Sequence, residues 1–334
     1  MNSHDMHSQR REHSRFGKLP LGILLALIAF LLQACEVPIK IDSPENGAQI
    51  NADTVTVTGT FTGPAHSGIT VNGVVAQIVK KTMGKDKKSA DREKEMGERD
   101  DKAAQGKRFY ATIPLQPGSN QITVVGTTPQ GQSATTRISV TRTGDAPVKV
   151  TASPAQGLGP LNVSFSIASQ TGNPIQHIQA DFDGDGVVDF DSADPSAPIE
   201  FVYLNPGVYQ AKFTVIDTQS AYTQSVMIAV KTPDEIDQAV RAAWDGMTQA
   251  LVKQDLPSAL QYLSPESRDN YQPVFEALAT EMRKVVRSFS ALKQSQIHSE
   301  YAEYAIRSDD NGVDRLYLIY FVQDSDGVWR IASM

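Results

Sequence analysis

Asp181, Asp183, Asp185 and Asp189 stand at the first, third, fifth and ninth positions of one short segment, with Gly186 at the sixth and the Val187 carbonyl at the seventh. Hard oxygen donors at that spacing converge on a calcium ion, so these five residues form a candidate metal site of weak affinity. Counting Asp191, five carboxylates fall within eleven residues, and they repel one another unless a cation or hydrogen bonds compensate. Ser192 occupies the twelfth position, where a bidentate glutamate would complete a calcium loop. Aspartate and glycine also close tight turns by bonding their own backbone, which leaves a structural turn as the second reading. Neither reading supplies a reaction.

A general base is the other chemistry to test. His298 near Glu300 and Glu303 has the residue types for it, and Tyr262, Tyr271, Tyr301 and Tyr304 could line a polar cavity around it. The plainer reading makes His298 an exposed strand residue and the tyrosines half-buried packing with wet hydroxyls. Trp244 and Trp329 read as core anchors. Among the histidines beyond residue 34 only His66, His177 and His298 remain, far apart, so a zinc cluster is not expected. Phosphate loops and nucleophile elbows are absent from the sequence after residue 34, and no catalytic residue is assigned.

The single cysteine, Cys35, ends the run Leu32, Gln33, Ala34, Cys35. Before it lie Arg10, Arg11, Arg15 and Lys18, then an apolar stretch over 19–32, the layout of a secretory signal peptide spanning 1–34. Fourteen apolar residues fall short of the roughly 20 that span a bilayer as a helix. Leucine, any residue, a small residue and cysteine resemble the lipobox of bacterial lipoproteins. That resemblance implies lipidation of Cys35, and Glu36 rather than aspartate after it implies the outer membrane of a Gram-negative cell envelope. One cysteine excludes an internal disulfide.

Removing 1–34 takes four basic and two acidic side chains and moves the formal charge from -7 to -9. An acidic surface disfavours nucleic acid as a partner. Composition then divides the chain into 35–143, 144–231 and 232–334.

In 35–143, Val55 and Val57 alternate with threonines, Ile122 and Val124 follow the turn 117–120, and Ile138 and Val140 close the segment. The order of "TVTVTGTF", "ITVNGVVAQI" and "NQITVVGTTPQGQSATTRISVTR" resembles bacterial Ig-like domains of the type appended to surface proteins and polysaccharide-active enzymes. Residues 80–108 interrupt it with mixed charge and no apolar period, the pattern of a disordered insertion in a hairpin loop.

Residues 144–231 resemble a PKD domain: Asp181, Phe182, Asp183, Gly184, Asp185 and Gly186 match its turn, and Pro206, Gly207 and Tyr209 its hairpin. Ala180 replaces the tryptophan usual before the turn.

From Thr232 the pattern is helical. Thr232, Pro233, Asp234 and Glu235 form a capping-box start, and Ile236, Val240, Trp244, Met247 and Leu251 share one face. Further helices are predicted over 256–263 and 265–289, then strands over 297–306, 315–322 and 327–332. Helices followed by a curved antiparallel sheet resemble NTF2-like domains, which implies a cone-shaped cavity with Tyr262, Tyr271, His298 and Tyr301 as candidate lining.

The expectation is a multidomain protein of two all-β sandwiches and an α+β domain, tied to the membrane by a lipid. It acts as a non-catalytic scaffold or adhesive module for other envelope proteins or polysaccharide, needing no cofactor beyond a possible calcium ion. The alternative centres on the C-terminal cavity as a small-molecule binding site or active site.

Overall fold

Thr54–Phe61 shows why the first region is a sheet: threonine and valine alternate, and every second side chain from Val57 to Phe61 is buried. In the computed structural model, residues 37–80, 107–310 and 313–334 are described. Cys35 and the signal segment 1–34 lie outside the described residues, as does 81–106 of the charged insertion.

Two sheets form the first sandwich. One runs in the order Ile39–Ser43, Thr54–Phe61, Lys107–Pro114, Gln77–Lys80. The other runs Gln49–Ile50, Ser133–Arg142, Gly118–Thr127, Gly68–Val71, Val74–Val75. Phe61, Ile69, Phe109, Ile113 and Ile122 fill the space between them. The strands flanking 81–106 pair antiparallel, Val79 with Arg108 and Lys80 with Lys107, so both ends of that insertion meet at one hairpin stem.

The second sandwich repeats this plan. Val148–Ser153, Leu161–Ser169 and Ile199–Tyr203 make one sheet. Gln156–Leu158, Ala221–Lys231, Gly207–Asp217, Ile175–Asp181 and Phe190–Ser192 make the other. In both sandwiches the chain leaves its first strand, crosses to the opposite sheet and pairs there in parallel with the last strand, Gln49 with Thr141 and Gln156 with Ala229. Ala180 is buried and leaves room that Phe182 takes, its ring 4.8 Å from Phe201 and 5.1 Å from Phe165. Stacked phenyl rings thus fill this end of the core.

Helix α1 (Pro233–Val252) starts where its cap requires: the Glu235 amide donates to the Thr232 hydroxyl and the Thr232 amide to the Glu235 carboxylate, both at 3.1 Å. Its apolar stripe, including Trp244 and Met247, lies against a sheet in the order Lys293–Ile297, Tyr301–Asp310, Val313–Gln323, Trp329–Ser333. Helix α2 (Leu256–Gln261) follows, then α3 (Pro265–Ala277) and α4 (Met282–Ser288).

Two expectations are corrected here. The helix predicted over 265–289 is two helices, because bonds from Ala279, Glu281 and Lys284 reach back only three residues and wind the chain too tightly to continue. The strand predicted over 297–306 is two strands joined at 298–300, with His298 N donating to Tyr301 O. The first of these, "KQSQI", is a polar edge strand and carries no alternation to find.

Residues Glu36–Met334 form one compact unit, although each region keeps its own hydrophobic cluster. Lys149 joins Asp53 at 2.7 Å between the two sandwiches. Gln130 donates to the Tyr262 hydroxyl at 3.1 Å between the first sandwich and the C-terminal region. At Gly68 the first sandwich comes so near the 324–327 turn that a Cβ would collide with the Asp326 carbonyl and the Gly327 backbone.

Candidate functional site

Strand Ile175–Asp181 delivers Asp181 into the sandwich end, where only 9% of it is exposed. Its two carboxylate oxygens accept from Gly184 N at 2.7 Å and Gly186 N at 3.0 Å. Both glycines have positive φ, +80° and +93°, which the turn needs and most residues resist. Asp189 accepts from Phe182 N at 2.7 Å, Asp183 from Asp185 N at 3.1 Å, and Asp185 from Val187 N at 2.7 Å.

Carboxylate oxygens of Asp181, Asp183 and Asp189 lie within 4.8 Å of one another. Asp185 is not in that group; its carboxylate caps the next turn, and Val187 points its side chain to solvent with 62% exposure. Asp191 also stands apart, held by His177 Nε2 at 2.7 Å and Gln179 Nε2 at 2.9 Å. Of the four candidate aspartates the fold therefore gathers three. Each of these three still has lone pairs beyond its amide bonds, so the donor set suits a hard cation, while the amide bonds alone already close the turn. Tyr203 donates to Phe182 O at 2.9 Å beneath them. Burial, then the charges of Asp183 and Asp189, push its phenol up out of the physiological range.

The C-terminal region holds a cavity of about 680 Å³ between α1, α4 and the sheet. Trp244, Val285, Phe289, Ile306, Ile319 and Met334 give it a mainly apolar wall, with Glu281, Lys284, Ser288 and Ser308 as polar lining. Ser288 and Ser308 bond to each other at 2.9 Å.

None of the four residues expected there lines this cavity. Tyr262 packs beside Gly246 and bonds Gln130 of the first sandwich. Tyr271 is spent on the chain end, donating to Met334 O at 2.7 Å and accepting from Met334 N at 2.8 Å. His298 and Tyr301 stack on each other at 4.2 Å on an exposed turn of the sheet. The lining arises from residues on separate elements, and no local spacing marks them. Tyr317 is the exception in principle, since it alternates with buried Ile319 and Phe321 and so faces the helices.

Two polar clusters were not foreseen. Tyr304 donates to Asp237 at 2.7 Å, and Arg241 clasps the same carboxylate at 2.8 Å, tying α1 to the sheet. Burial and the Asp237 bond push the Tyr304 phenol upward. Arg330, only 4% exposed, bonds Asp324 and Asp326 at 2.7 Å each and reaches Gln261 O. Burial raises the Asp324 carboxyl against the pull of Arg330.

Residues 38–143 match the family described as glucodextranase, domain B. That is the first sandwich, an Ig-like β domain. The chain is similar, at 15% identity and a TM-score of 0.21, to the fibronectin(III)-like modules of CbhA from Clostridium thermocellum, covering 59% of this chain and 96% of that one. It is similar to latent PorU from Porphyromonas gingivalis at 11% identity and a TM-score of 0.29, covering 59% of this chain and 20% of that one. A third similar structure is SGBP-B of the Bacteroides ovatus mixed-linkage glucan utilization locus, in complex with a mixed-linkage heptasaccharide (14% identity, 58% and 47% covered, TM-score 0.18). No curated protein matches the chain. Among the described residues no helix is long and apolar enough to cross a membrane.

Proposed function

We propose that this is a non-catalytic, lipid-anchored protein of the Gram-negative cell envelope, in which two sandwiches, the second of PKD type, hold out an NTF2-like C-terminal domain as a binding platform. The observation that carries the non-catalytic reading is separation. The only histidine of the C-terminal region, His298, sits on an exposed turn with Tyr301, while the cavity wall is mostly apolar. A base that does not reach the cavity cannot act on its occupant.

The partners this reading favours are other envelope proteins or polysaccharide, and the match of 38–143 to a domain of glucodextranase supports the second of these. No cofactor is required. Calcium at Asp181, Asp183 and Asp189 belongs to the proposal as a stiffening ion that stays out of any reaction.

Attachment is tested in cells. With Cys35→Ala, labelling by radioactive fatty acid is expected to vanish and the protein to leave the membrane fraction. Continued membrane attachment without label would overturn the lipid anchor.

A further inference from the structure

A second cavity, of about 270 Å³, lies between the first sandwich and the C-terminal domain. Its walls come from elements that are distant in sequence: Ile69 and Ile78 on one side, Ile236 and Trp329 on the other, with Lys107 and Lys231 among the polar lining. We infer that this pocket binds a small amphipathic carboxylate, its short apolar tail among Ile69, Ile78, Ile236 and Trp329 and its charge beside Lys231.

The charged groups around this pocket differ in what already holds them. Lys231 ends strand Ala221–Lys231, one residue before the Thr232 cap, so its backbone is fixed between a sheet and a helix. Among the described residues no carboxylate pairs with its ammonium; Glu235 and Glu300 act on it only as more distant charges, and burial lowers its pKa. Glu235 also lines the pocket, but one of its oxygens is held by the Thr232 amide at 3.1 Å. Lys107 donates to Pro64 O at 3.1 Å and lies 5.4 Å from the Phe61 ring centre. A half-buried cation without an ion partner is costly, and an anion arriving with its own apolar surface offsets that cost.

Size and polarity narrow the class. The volume lies just below the roughly 300–1,000 Å³ of pockets for drug-sized ligands, so the occupant is fragment-sized. The apolar wall disfavours inorganic phosphate, which would leave four hydrophobic side chains facing a fully polar ion. A short alkyl carboxylate satisfies both halves. Because it touches two domains at once, it also clamps them.

The chain has two tryptophans, and only Trp329 lines this pocket, while Trp244 lines the larger cavity. Titrating the full chain in non-ionic detergent with hexanoate is expected to move the Trp329 indole N–H signal in NMR saturably and to leave that of Trp244 in place. Hexan-1-ol and inorganic phosphate are expected to bind at least about tenfold more weakly, as is hexanoate to Lys231→Met, a difference of about 1.4 kcal/mol. Lys231→Arg should retain binding. An unmoved Trp329 signal overturns the site, and equal binding by hexanol overturns the charge recognition. Equal binding by phosphate overturns the apolar half. If Lys231→Met is misfolded by its free spectrum, the hexanol comparison and Lys231→Arg decide the charge recognition alone.

Discussion

Asp217 shows how a single buried carboxylate sets a pH limit. Burial pushes it up, but the amides of Gln219 and Ser220, the Thr171 hydroxyl and the Asn173 amide all donate to it and hold it at about 2. The unfolded carboxyl titrates near 3.9, so the folded form is the depressed one. Its stabilisation is complete above about pH 5 and is lost as the pH falls from about 4 towards 2. Hydrogen-exchange protection factors at Gln219 and Ser220 should therefore drop through that window in the wild type and stay low and flat in Asp217→Asn. An identical profile in both would show that another group controls the loop. Arg330 has the reverse character: it is committed to two carboxylates of its own hairpin, and its removal would leave Asp324 buried and unpaired. Such residues escape a sequence reading because their partners are chosen by where the turn points them.

At the scale of elements, what could be read in advance was what is encoded locally. The capping pair Thr232 and Glu235 is complete within four residues, and the valine and threonine alternation of Thr54–Phe61 needs only its own period. The split between α3 and α4 and the edge strand Lys293–Ile297 could not be read, since a polar edge has one paired side and no buried face to mark it. The aspartate turn lies between these cases: its spacing is local, but backbone closure withdrew Asp185 from the group. Calcium at roughly ten times its dissociation constant should raise the melting midpoint by a few degrees, a linkage gain of about 1.4 kcal/mol. Chelator should reverse the rise and Asp183→Ala should erase it. A midpoint indifferent to both calcium and chelator would leave the turn closed by amide bonds alone.

For the whole molecule the decisive contacts are those between regions, and no periodicity announces them. Gly68 lies in a strand and reads as a weak strand residue, yet its missing side chain is what admits the 324–327 turn. Gly68→Ala is expected to cost about 1–3 kcal/mol in urea unfolding, the usual penalty for forcing a methyl group into a filled space. It should also raise exchange at Gly327 N, which bonds Asp324 O at 2.8 Å. Unchanged stability and exchange would mean that the two regions are held by other contacts. The cavities share this dependence: the walls of the smaller one belong to two regions, so only their packing creates it.

The hairpin stem joining Val79 to Arg108 and Lys80 to Lys107 carries one more consequence. Proteolysis inside 81–106 would sever the polypeptide without dismantling the particle. Six short strands before the cut are interleaved with three after it in two shared sheets, and four of the seven strand pairings join one fragment to the other. A nicked molecule would thus remain a single body made of two chains, and whatever grips its N-terminal piece would retain the entire C-terminal one.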